Sequence, residues 1–122
     1  MSPFPILSFV ACKGDSVAEE ALRVLENAAY RVSFINEGGR ALPEHVAIVG
    51  WSKHQQYGLK HGFPGGHVRI PPANRVDRNN VPPPLKACKE IVYVRKPPEE
   101  TRKSSEAFQS AVLNMALGLR RR

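Results

Sequence analysis

The sequence predicts an α+β domain: a four- to five-stranded mixed sheet with two helices, in the order β-α-β-β-(β)-β-α. Three observations carry this. Four apolar runs of strand length stand at residues 5–11, 31–36, 45–50 and 90–95. Two further stretches repeat their apolar residues at helical spacing. The chain has 122 residues, enough for one domain with one core, so 1–122 is read as a single unit.

The elements follow in order. Residues 5–11 are nearly continuous in apolar character, as expected of a central strand covered on both faces. Lys13-Gly14-Asp15 is a turn, and Ser16 precedes Glu19 by three residues, the spacing of a capping box. Ala18, Ala21, Leu22, Leu25, Ala28 and Ala29 form a stripe of period 3.6, which predicts a helix over about 16–29. Strands over 31–36 and 45–50 flank the turn Glu37-Gly38-Gly39-Arg40. One helix between the first two strands makes them parallel, with a right-handed crossover.

Residues 51–89 hold no sustained period. A short strand is expected over His67–Ile70, demoted by the prolines that follow it, and Pro82-Pro83-Pro84 reads as polyproline II. After the strand at 90–95, Pro97-Pro98-Glu99-Glu100 has the composition of a helix start, with proline in the first turn and carboxylates at the positive end of the dipole. Phe108, Ala111, Val112, Met115 and Leu119 then mark one face of a long closing helix. Both helices on one face of the sheet, or one on each, are compatible with this order.

Charge divides the chain unevenly. Residues 1–50 hold four basic and six acidic residues, net −2. Residues 51–89 hold seven basic residues and one acidic residue, net +6, and residues 90–122 hold seven and four, net +3. The middle segment also carries 6 of the 11 prolines and three of the four histidines, so it forms a second compositional class inside one small domain. An irregular segment of this length is usually functional.

Within it, cations alternate with aromatic rings: Trp51, Lys53, Tyr57, Lys60, Phe63 and Arg69, continued by Arg75 and Arg78. Cations neutralise phosphates and aromatic faces stack on unpaired bases. Glycines at 62, 65 and 66 let the backbone approach an anion closely. The tail Arg120-Arg121-Arg122 adds a phosphate clamp, or simply complements a helix C-terminus. The plain alternative is a solvated basic surface whose aromatics plug into the core.

Other chemistry is weaker. His54, His61 and His67 have no C-x-x-C, no H-E-x-x-H and only Asp77 as a nearby carboxylate, so no metal and no cofactor is expected. His61 and His67 as acid and base, with Lys60 or Lys53 stabilising a developing phosphorane, would make a metal-independent nuclease. Cys12 stands shortly before a helix N-terminus, where a thiol can be activated, but a buried strand-end cysteine is the simpler reading. Cys12 and Cys88 are expected as free thiols of a reducing compartment. The stretch Lys13–Ser16 sits where phosphate loops sit but matches neither G-x-x-x-x-G-K-[ST] nor G-x-G-x-x-G.

No apolar run approaches the roughly 20 residues of a membrane span, and Met1-Ser-Pro-Phe-Pro lacks the basic start of a secretory signal. An intracellular protein, cytoplasmic or organellar, is therefore expected. The favoured function is a nucleic-acid-binding subunit, for RNA above DNA, within a larger ribonucleoprotein and alongside other protein subunits. The alternatives are the histidine nuclease and a protein-interaction subunit whose proline-rich arm (Pro71-Pro72 and Pro82–Pro84) drapes over a partner.

Overall fold

The computed structural model describes residues 7–50, 67–71, 81–96 and 101–120. Among these lie five strands, β1 (Ser8–Cys12), β2 (Arg31–Ile35), β3 (Val46–Gly50), β4 (Val68–Arg69) and β5 (Glu90–Val94). The two helices are α1 (Ser16–Asn27) and α2 (Arg102–Arg120). The sheet order is β2-β1-β3-β5-β4. The first four strands run parallel, and β4 is antiparallel to β5. The expected α+β class with a mixed sheet is what the chain forms.

The central strands are buried on both faces, which explains their unbroken apolar sequences. In β3 every residue of Val-Ala-Ile-Val-Gly is buried. Alternation divides the core in two. Phe9, Ala11, Val46, Ile48, Val92 and Val94 face one side, where they meet the buried residues of α1 and α2. Val10, Ala47, Val49, Ile91 and Tyr93 face the other, where no described helix of α type lies. Both long helices therefore cover the same face. The opposite face is closed by irregular chain that inserts Ala41, Val81, Leu85 and Cys88.

Three sequence expectations are corrected. The cap of α1 is Asp15 rather than Ser16: Ala18 N donates to Asp15 Oδ1 at 3.2 Å. The longer carboxylate also reaches Gly50 N, 2.8 Å from Oδ2, which ties α1 to the end of β3. The helix stops at Asn27, because Ala29 turns left-handed (φ 68°) and Tyr30 N closes back on Leu25 O. Of the three prolines 82–84, Pro82 alone is extended (ψ 133°); Pro83–Leu85 is a three-ten turn, with Leu85 N donating to Pro82 O at 2.8 Å. Burying Leu85 against Tyr93 and Val10 in the second core is what bends the chain there. The helix start expected at Pro97–Glu100 lies outside the described residues, and α2 begins at Arg102.

Candidate nucleic-acid interface

Register determines where the basic middle segment is attached. Gly50, the last residue of β3, pairs with Val94, and Val68 of β4 pairs with the same Val94 from the other side. Two strand spacings separate Gly50 from Val68, about 10 Å. Arg95 N donates to His67 O at 2.8 Å and extends that pairing by one residue. Residues 51–66 thus leave and return on either side of the carboxyl end of β5.

Trp51, Lys53, Tyr57, Lys60, His61 and Phe63 belong to that stretch and lie outside the described residues, as do Arg75, Arg78, Arg121 and Arg122. Three candidates are placed. Arg69 is half-buried on edge strand β4, opposite Tyr93, while its neighbour Val68 packs into the core beneath the helices. His67 presents its ring edge-on to Phe108 of α2, with centroids 6.2 Å apart and planes at 79°. Its Nδ1 is buried with no hydrogen-bond partner, so this imidazole serves packing at least as much as chemistry. Arg120 closes α2, about 18 Å along the helix axis from Phe108. The arginine at the helix end and the β4 residues therefore belong to different parts of the surface.

Other cations gather near the carboxyl ends of the parallel strands, and of these the sequence had singled out Lys13 alone, in the Lys13–Ser16 stretch. Lys13 follows β1, Arg95 and Lys96 follow β5, and Arg102 opens α2. Lys96 Nζ lies 3.5 Å from Glu20 Oε2 of α1, both side chains more than two-fifths exposed. Between them and α2 runs an open groove of about 360 Å³, lined by Glu20, Lys96, Arg102, Ser105 and Phe108. The signal was the basic pair Arg95-Lys96 directly after a strand. Its importance depends on β5 lying between β3 and β4, which local sequence does not state.

The two helix N-termini near this edge are occupied by the chain's own groups. Asp15 fills that of α1, which answers the phosphate-loop position at Lys13–Ser16 with a carboxylate. At α2, Ser104 N donates to Thr101 Oγ1 (3.1 Å) and Thr101 N donates to Ser104 Oγ (2.9 Å), a reciprocal cap. Cys12 is half-buried, Cys88 is buried, and no disulfide joins them. Among the described residues no three His, Cys, Asp or Glu side chains gather as metal ligands, and no helix is long and apolar enough to cross a membrane.

Comparison with known proteins adds no relative: no family profile, curated protein or solved structure matches this chain.

Proposed function

We propose that this protein binds nucleic acid, RNA above DNA, as a non-enzymatic subunit of a larger ribonucleoprotein. The observation that carries the reading is the segregation of charge: net +6 over residues 51–89 against net −2 over residues 1–50. The attachment of residues 51–66 beside Val94 supports it, because Arg95 and Lys96 follow on the same strand end and extend the basic surface. Cations and aromatic rings in alternation suit phosphates and unstacked bases. Most contacts go to phosphate and ribose, so recognition is by shape more than by base identity.

The test is fluorescence anisotropy with labelled single-stranded RNA, duplex RNA and duplex DNA at two salt concentrations, with each RNA run on a gel afterwards. Neutralising four phosphates of a single strand predicts an affinity loss of about 50-fold between 50 and 200 mM salt. The RNA stays intact. Changing Lys60, Arg69, Arg75 and Arg78 together to Gln should remove most of that salt-sensitive binding. Unchanged affinity in this variant defeats the reading, and cleaved RNA would transfer it to a nuclease using His61 and His67.

A further inference from the structure

The two irregular stretches that cover the second face of the sheet do not close on each other completely. Between residues 37–40 and residues 83–87 lies an open groove of about 470 Å³, within the range that holds small ligands. One wall is Glu37, Gly38 and Arg40, and the other is Pro83, Pro84 and Lys86. The first wall begins directly after β2, at the carboxyl ends of parallel strands, where open sheets take their ligands. Ala41 N donates to Pro84 O at 2.8 Å and holds the walls together, while buried Leu85 anchors the second one in the core.

Two features of this groove are not accounted for by folding. Glu37 and Arg40 both line it, yet among the described residues neither side chain has an ion-pair or hydrogen-bond partner. Opposite charges left apart on one groove are available to a ligand. The second feature is Gly38. Its neighbour Gly39 has a structural reason: its amide donates to Asn36 O at 2.8 Å, and a methyl there would meet Ile35 Cγ2 at 2.9 Å. Gly38 has none, since nothing lies within 4 Å of where its methyl would stand and its φ is not left-handed. Glycine at that place leaves bare backbone that a ligand can approach closely.

The chemistry of these groups selects a ligand with two unlike ends. Arg40 and Lys86 suit a phosphate, the guanidinium through paired N–H donors. Glu37, an acceptor only when ionised, suits a hydroxyl and repels a phosphate. Pro83 and Pro84 give an apolar wall for a ring. A ribonucleotide carries phosphate, 2′-hydroxyl and base in one unit. The second wall also belongs to the basic segment 51–89, so the groove continues the surface already assigned to RNA.

We infer that this groove is a ribonucleotide site, in which Glu37 accepts a hydrogen bond from the 2′-hydroxyl and Arg40, with Lys86, holds the adjoining phosphate. The inference rests on the RNA reading and gives it a physical basis for RNA above DNA, because the 2′-hydroxyl is what separates the two.

The test is fluorescence anisotropy of the full chain with a labelled single-stranded RNA and the DNA of the same sequence, alongside amide NMR with adenosine 5′-monophosphate. The parent should favour RNA. Glu37→Ala should lower the ratio of RNA to DNA affinity about fivefold, the loss of one hydrogen bond. A Glu37 that merely faced the strand would repel it, and its removal would strengthen RNA and DNA alike. An unchanged ratio, or a parent that binds both strands equally, overturns the inference and leaves the nucleic-acid reading standing. Arg40→Gln should weaken both strands equally with circular dichroism unchanged, and parental affinity in that variant also overturns the inference. If the parent binds neither strand, the RNA reading fails and the nucleotide decides. Shifts of the Gly38, Gly39 and Arg40 amides that weaken with Glu37→Ala, and with the 2′-deoxy nucleotide, keep the site as one for a free ribonucleotide. Their absence overturns it.

Discussion

The two faces of the sheet are covered by different means. One lies under α1 and α2, whose backbones satisfy their own hydrogen bonds and need the sheet only for apolar contact. The other lies under irregular chain around residues 37–45 and 81–89, whose polar backbone must find partners one by one. Ala41 N donates to Pro84 O at 2.8 Å and Lys89 N to Pro43 O at 3.1 Å, so the two irregular stretches tie each other down. Val81, Leu85 and Cys88 are the plugs that hold them against Ile91 and Tyr93. The difference teaches that a helix can be laid on a sheet by one stripe, whereas coil needs both cross-bonds and plugs to do the same work.

The sharpest test makes the same change on each face. Leu25 and Leu85 are both essentially inaccessible, at 0% and 1% exposure. Leu→Ala in a core costs about 2–5 kcal/mol, the spread reflecting how far the surroundings collapse into the space. Leu25 sits between α1 and strands that cannot easily approach, so its truncation should fall in the upper half of that range. Leu85 sits on a three-ten turn that can settle inward, so its truncation should fall in the lower half. Urea unfolding of both variants gives the comparison directly. Equal losses would mean that the irregular cover is as rigid as the helical one.

The same contrast explains how much of the molecule was legible. Ala18, Ala21, Leu22 and Leu25, and then Phe108, Val112, Met115 and Leu119, were picked out by helical spacing, and all are buried. The strands were legible because burial on both faces leaves unbroken apolar runs, as in β3. Ala41, Val81 and Leu85 follow no period, and nothing local distinguishes a proline run in polyproline II from one bent by a plug such as Leu85. At the candidate interface, the aromatic–cation alternation from Trp51 to Arg69 was visible as composition. The place where it joins the fold was not, because that depends on Gly50 and Val68 pairing with the same residue of β5. Arg95 and Lys96 were overlooked for this reason. Long-range pairing, not residue type, gives them their position.

A second, smaller effect is expected where the helical face is joined to the sheet. Asp15 is 6% exposed and spends both carboxylate oxygens, one on Ala18 N and one on Gly50 N. Asp15→Ala removes the cap of α1 and leaves the amide of Gly50 without that acceptor, which should cost about 2 kcal/mol. Gly50→Ala attacks the same joint from the other side, because a methyl there collides with the Asp15 carboxylate. Thermal melts of the two single variants should both fall. A Gly50→Ala variant as stable as the parent would show that the joint is loose, and that the departure of residues 51–66 from β3 is not held by α1.

The smallest expected effect runs the other way and lies at the end of α1. Ala29, at φ 68°, is the only non-glycine residue with positive φ among the described residues. The bonds from Ala29 N to Glu26 O and from Tyr30 N to Leu25 O, each 3.0 Å, form the reversal that usually employs glycine. Tyr30 explains why the chain accepts it: its ring meets Phe9 edge-on, with centroids 5.6 Å apart, and this contact requires the turn directly after the helix. A left-handed alanine costs about 1–2 kcal/mol, and glycine returns part of that gain as unfolded-state entropy, leaving about 0.5–1 kcal/mol of added stability for Ala29→Gly. The exposed methyl of Ala29 gives up little when removed. A stabilised variant in urea unfolding would show that the regular face carries local strain in order to seat Tyr30. A destabilised one would show instead that the helix end is held by backbone stiffness, and that Tyr30 alone does not define the turn.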